Sequence, residues 1–190
     1  MQIGTGIDPK LVTAVVVTRG NRDITPVLSS LSCFGEVRVW DNSKQRDLKV
    51  FGRYAASLWA ANSVIYTQDD DAITVPEQIC AEYVPGQLVC NMKPGHHDAY
   101  RGTGIALVGH GAIFDQNLVN FLPYTDRYPQ DNLFLRECDR VFTYLYKDRQ
   151  KWLALPITDL EYASDPAVSM WMEPRHGDDL AEIRRRLQTL

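Results

Sequence analysis

Residues 11–18 read LVTAVVVT, a nearly unbroken β-branched run. A half-solvated strand would alternate polar and apolar positions, so this run predicts a strand buried on both faces. It breaks at Arg19-Gly20-Asn21-Arg22. Asp23 is then placed to cap a helix, and Pro26 falls in the first turn, where its missing N–H costs little. Ile24, Val27, Leu28, Leu31 and Phe34 recur at the spacing of one helical stripe, with Gly35 as the expected stop. Residues 36–40 alternate as a second strand and end at Asp41-Asn42-Ser43, a turn signal. The Ala-rich stretch 53–62 predicts a helix, and residues 64–67 a third strand running directly into Gln68-Asp69-Asp70-Asp71. Pro76 opens a short helix to about Tyr83.

The second half is patterned more loosely. Residues 88–90 and 105–108 predict two further strands, and Asp115 caps a segment carrying Leu118, Val119, Phe121 and Leu122. Leu133, Phe134, Cys138, Val141, Phe142 and Leu145 fit a helix, although 141–146 also suits a strand. Leu180, Ile183 and Leu187 mark a C-terminal helix with Arg184, Arg185 and Arg186 on its other side. The order β-α-β-α-β-α-β, then β-α, is that of an α/β sheet with helices on both faces. Such sheets bind ligands at the carboxyl ends of their strands. Three polar clusters fall at predicted strand ends: residues 18–23, 41–43 and 69–71.

The chain has 190 residues, enough to bury a core without staples and the length of one ordinary domain. Hydrophobic residues make up 45% and charged residues 23%, which excludes a disordered or fibrous chain. The net charge of −4 excludes a wholly basic nucleic-acid coat and leaves room for a local basic patch. No apolar run is long enough to span a bilayer. The start, MQIGTGIDPK, lacks a charged segment followed by an apolar one, so no secretory signal is expected. Cys33, Cys80, Cys90 and Cys138 show no Cys-x-x-Cys spacing, which argues against a zinc knuckle and for buried thiols in a reducing cytoplasm. No protein partner can be inferred.

Asp69, Asp70 and Asp71 carry the strongest chemical signal. Adjacent carboxylates repel, and a cation relieves them. In an extended chain Asp69 and Asp71 would face one side and Asp70 the other. Few, oxygen-only ligands suit Mn2+ or Mg2+ bridging a diphosphate; the plainer alternative is a solvated acidic turn. Asp41 can accept a hydrogen bond from a base or ribose, or simply form an Asx turn. Thr18, Arg19, Gly20, Asn21 and Arg22, with Arg53 at a helix start, can meet phosphate, although surface arginines are common.

Together, VVVTRG, then EVRVWDNS, then IYTQDDD resemble the nucleotide-binding half of a GT-A glycosyltransferase. The resemblance covers residues 11–75 well and 86–190 more loosely. It implies a single compact, Rossmann-like GT-A domain over 1–190, α/β, with a mixed, mostly parallel sheet. It implies that Asp41 reads the base and that Asp69 and Asp71 hold ribose and metal, with Asp70 beside them. Gly109 and His110, after Gly102-Thr103-Gly104, would line the donor sugar and acceptor. Asp131 would be the general base of an inverting enzyme, with Asp126 its nearest competitor and a helix N-cap its plainer reading. His176 resembles the late histidine that many such enzymes bring to the metal. His96 and His97 are expected in a loop or near the acceptor.

The donor implied is a UDP-sugar. The chain further resembles the small TET/JBP-associated glycosyltransferases of bacteriophages and kinetoplastids, which implies hydroxymethylated pyrimidine in DNA as acceptor. Cations and aromatics for a strand exist at Lys147, Arg149, Lys151 and Trp152 and at Arg184, Arg185 and Arg186, each group otherwise a solvated face. A non-catalytic nucleotide- or glycan-binding module is the competing class, as is a glycan, protein or small-molecule acceptor.

Overall fold

A computed structural model describes residues 6–160 and 176–190. Its centre is the predicted first strand, β1 (Val12–Thr18), in which all seven residues are buried. It lies between β2 (Glu36–Asp41) and β3 (Val64–Asp69), both parallel to it. The six-stranded sheet continues through β6 (Ala112–Asp115) and β5 (Leu88–Asn91) to β7 (Gln150–Leu153), in the order β2-β1-β3-β6-β5-β7. β6 alone runs against its neighbours. Its direction follows from the connection. The chain leaves β5 at Asn91 and returns to the same end, where Asn91 N–H donates to Gly111 O (2.7 Å). A return at the end of departure can only pair antiparallel. The short strands β4 (Ala72–Ile73) and β8 (Thr158–Asp159) pair apart from this sheet.

Alternation along the strands divides the core between two faces. Val15, Ile65, Cys90 and Phe114 point to one, where Tyr54 of α2 (Gly52–Ser57), Tyr124 of α5 (Leu122–Thr125), Phe134 and Phe142 of α6 (Asn132–Leu145) and Ile183 of α7 (His176–Leu187) pack. Ala14, Val16, Tyr66 and Ile113 point to the other, against Val27 of α1 (Thr25–Ser30) and Ile79 of α3 (Pro76–Ala81). The architecture is therefore α/β, with a mixed sheet covered on both faces. Among the described residues no helix is long and apolar enough to cross a membrane.

Four expectations need correction. The apolar run 105–108 is a buried loop: Gly104 and Gly111, at φ 71° and 98°, turn the backbone on either side, and the strand starts at Ala112. A four-residue apolar run does not by itself separate a buried strand from a buried loop. The helix expected over 53–62 ends at Ser57, because Ala61 N–H donates to Glu36 (2.8 Å) and Asn62 N–H to Thr13 (3.2 Å), drawing the chain back to the sheet. α1 ends at Ser30, and Leu31 and Phe34 pack from the turns that follow. Within the basic stretch after α6, β7 forms unannounced. Its Lys151 is tied to Glu82 (2.6 Å), so it is not a free patch cation. The ambiguous half of α6 is helical.

Candidate functional site

The carboxyl ends of β1, β2 and β3 meet in register: Thr18 lies opposite Asp41, and Val17 opposite Asp69. Beside them opens a cleft of about 250 Å³. Thr18, Arg19 and Arg22 line it from the end of β1, Asp69, Asp70 and Asp71 from the end of β3, and Arg53 from α2. Gly109 and His110 line it from the loop before β6. Nine of the sequence-predicted site residues thus share one cavity.

The acidic run does not behave as an extended strand. β3 ends at Asp69, and Asp70 and Asp71 lie in the turn beyond. Asp69 accepts from Arg53 (2.5 Å), while Asp70 (3.4 Å) and Asp71 (3.5 Å) both face the Arg22 guanidinium. The expected alternation is therefore replaced by a division of labour between two arginines. Burial pushes the Asp70 carboxyl up. Burial, and then the charges of Asp69 and Asp70, push Asp71 up to about 7. Gly109 makes room for the Asp69 carboxylate where it stands: a Cβ there would meet Asp69 Oδ2 at 1.8 Å.

Asp41, Gly20, Asn21 and Asp131 are not among the residues lining the cleft. Asp41 closes an Asx turn, accepting from Ser43 N–H (2.9 Å) and Oγ–H (2.6 Å) and facing Lys44 (3.0 Å). The Ser43 and Lys44 hydrogen bonds hold its carboxyl below the usual range. Its neighbour Asn42 lines the cleft instead. Gly20 packs on that turn, where a Cβ would meet Ser43 Oγ at 2.2 Å. Asn21 is exposed. Asp131 is the N-cap of α6: one oxygen accepts from Phe134 N–H (2.9 Å) and the other from Arg186 (3.0 Å). The competing carboxylate, Asp126, forms the C-cap of α5. His176 opens α7, and its side chain lies outside the described residues.

Sequence reasoning missed the wall opposite the strand ends. Arg136, Glu137, Asp139 and Arg140 of α6 line the cleft. Arg53, whose side chain is 2% exposed, bridges both walls, reaching Asp139 at 3.6 Å as well as Asp69. Tyr54 O–H donates to Asp139 (2.8 Å). Burial outweighs Arg53 and pushes the Asp139 carboxyl up to about 6. The sequence holds only four charges within five residues of a helix whose other face is apolar, a pattern that a solvated helix surface also shows. His110 is held below the ordinary histidine range by burial, and its ring stacks at 5.4 Å on His96, which with His97 lies in a helix, α4 (Pro94–Tyr100), where a loop was expected.

The acids fit a divalent cation in one particular way. Among the described residues no three His, Cys, Asp or Glu side chains converge as a metal cage. Mg2+ and Mn2+ are commonly held by one or two carboxylates, with phosphate oxygens of the ligand completing the sphere. Asp71, crowded by like charge, is the carboxylate that such a cation would relieve. The cleft therefore combines oxygen ligands for a cation, guanidinium groups for phosphate and a raised carboxyl able to exchange a proton. Comparison with known proteins finds no family model that matches the chain and no curated protein with significant similarity.

Proposed function

We propose that this chain is a metal-dependent GT-A glycosyltransferase that moves a sugar from a UDP-sugar to a hydroxyl acceptor. The favoured acceptor is hydroxymethylated pyrimidine in DNA. The observation that carries this reading is the meeting of Thr18, Arg22 and the three aspartates at adjoining strand ends, in one cleft with Arg53 and Gly109. Ligand sites of open α/β sheets lie at such ends. Asp69 and Asp71 would hold Mn2+ or Mg2+, which neutralises charge growing on the leaving diphosphate. Arg22 and Arg19 bind and orient the phosphates. Asp139 takes the acceptor proton: it lines the cleft, and its carboxyl, near 6, is matched to neutral pH. Asp131, engaged by Phe134 and Arg186, is assigned to capping. The free thiols Cys33, Cys80, Cys90 and Cys138 suit a cytoplasmic protein.

Thermal stability with UDP-glucose, UDP and GDP-sugars, with and without Mn2+, tests the donor. Manganese-dependent stabilisation by a uridine nucleotide is expected, about 2.7 kcal/mol at a hundredfold excess over Kd, and its loss in Asp71→Ala. No response from the folded protein rejects the reading. A second reading is a nucleotide-binding module without turnover, favoured by the pairing of Arg22 and Arg53 with the acidic run. Donor hydrolysis or transfer that Asp71→Ala abolishes while the fold survives separates the two.

A further inference from the structure

A second cavity, of about 440 Å³, lies next to the cleft. Gly102, Thr103, Gly104 and Ile105 wall it on one side, and Tyr144, Lys147, Arg184, Leu187 and Gln188 on the other. The same chain segment serves both cavities: Ile105 faces this one and Ala106 the cleft. Gln150 fixes the loop, its side-chain N–H donating to Gly104 O (2.9 Å) and to Thr143 O (2.5 Å) at the end of α6.

The charge here differs from that of the cleft. Among the described residues no Asp or Glu lines this cavity. Arg185 and Arg186 are tied to Glu182 (2.8 and 2.9 Å), whereas Lys147 and Arg184 make no ion pair among the described residues. Both are exposed. The Lys147 ammonium sits 4.5 Å from the centre of the Tyr144 ring. On α6, Arg136 and Arg140 line the cleft, paired with Asp179 (3.1 Å) and Glu137 (2.8 Å), and Tyr144, one turn on, lines this cavity together with Lys147 from beyond the helix end. Two cations with no counter-charge among the described residues select an anion. Lys147 and Arg184 beside the Tyr144 ring suit phosphate carrying a flat base.

We propose that this cavity is a phosphate-binding site in which Lys147 and Arg184 hold the backbone of a single-stranded nucleic acid running on into the cleft. The proposal rests on the transfer reading only in taking that strand to be the acceptor. Binding is therefore read without turnover, and donor binding separately.

The probe is a fluorescein-labelled oligothymidylate of about 12 nucleotides, followed by polarisation at several salt concentrations. The wild-type protein is expected to bind it, more weakly as salt rises. The Lys147→Gln, Arg184→Gln double variant should bind at least tenfold more weakly, with a log–log salt slope shallower by about 1.4, two contacts at ~0.7 each. Its melting point and its response to UDP-glucose with Mn2+ should match the wild type. Equal affinity and slope in a folded double variant would overturn the site. A wild-type protein stabilised by inorganic phosphate through these two residues, yet unable to bind the strand, would overturn the nucleic acid. Strand binding without any donor response would leave the site standing and remove the transfer reading.

Discussion

The two walls of the cleft are charged in different ways. On the α6 wall each acid faces a different cation: Glu137 faces Arg140 (2.8 Å) and Asp139 faces Arg53 (3.6 Å), which it shares with Asp69. On the strand-end wall three consecutive carboxylates share Arg22 and one end of Arg53. Carboxyls on both walls are raised, for different reasons. At Asp139 burial is the largest influence, Arg53 opposes it next, and the charges of Asp69 and Glu137 add to the rise behind it. At Asp71 burial is joined by Asp69 and Asp70, so like-charge crowding adds to desolvation. An arginine already in place limits the first. At the second Arg22 is also in place but ranks behind burial and both neighbouring acids, so added positive charge has more left to relieve. A cation is therefore expected to act first on the strand-end wall and to reach the helical wall only through Asp69 and Arg53.

Arg53 is the point at which the comparison breaks most severely. Its buried guanidinium serves both walls, so Arg53→Met leaves Asp69 and Asp139 without their shared cation. Removing one partner of a buried pair costs about 3–5 kcal/mol, which urea denaturation would read directly. A loss under about 1 kcal/mol would mean that the walls are not coupled through this residue.

Gly109→Ala disturbs one wall alone. A Cβ at 1.8 Å from Asp69 Oδ2 forces that side chain off Arg53. The Asp69 side chain is 40% exposed and can swing into solvent, so the protein should still fold, at a cost of about 1–3 kcal/mol. Manganese-dependent stabilisation by UDP-glucose should be lost. A full response in the folded variant would dissociate the Asp69 position from donor binding.

The strand-end wall was legible in the sequence because its charges are contiguous. A β-branched run followed by Arg-Gly-Asn-Arg, and another apolar run followed by three aspartates, announce themselves before any fold is known. The helical wall was not, because Arg136, Glu137, Asp139 and Arg140 are what any solvated helix surface offers. Their role depends on Phe134, Cys138 and Phe142 being buried, which turns that face toward the strand ends. Asp41 shows the opposite failure: a residue that reads as a ligand from its position spends its oxygens on Ser43 and Lys44. The strands β1, β2, β3 and β5 were readable, but β6 and β7 were not, and the reversal of β6 follows from where the 92–111 segment returns.

Crowding at Asp71 makes a prediction about pH. Its folded carboxyl titrates near 7, above the ordinary carboxylate value. Between about pH 4 and 7 the unfolded chain has released this proton while the folded chain keeps it, so this group's contribution to stability falls as pH rises through that window. Asp71→Asn removes the penalty. In metal-free buffer the variant should melt about 2–4 °C above the wild type at pH 8, a gain of ~1 kcal/mol, with the difference vanishing toward pH 4. Mn2+ should narrow the pH 8 gap by stabilising only the wild type. A gap independent of both pH and Mn2+ would remove like-charge crowding as its cause.

The smallest expected effect on stability separates the two candidate bases. Asn caps a helix as well as Asp does, so Asp131→Asn keeps the bond from Phe134 N–H and loses only the ion pair with Arg186. That pair is partly exposed and is worth about 0–1 kcal/mol. Transfer should continue at a rate close to wild type. Asp139→Asn keeps the shape of the α6 wall and removes the one carboxyl on it that lies near 6. Its transfer rate should fall about 10²–10⁴-fold, while the Mn2+ and UDP-glucose melting response, which belongs to the other wall, stays intact. The reverse pattern, an inactive Asp131→Asn beside an active Asp139→Asn, would move the proton acceptor from the wall of the cleft to the cap of the helix.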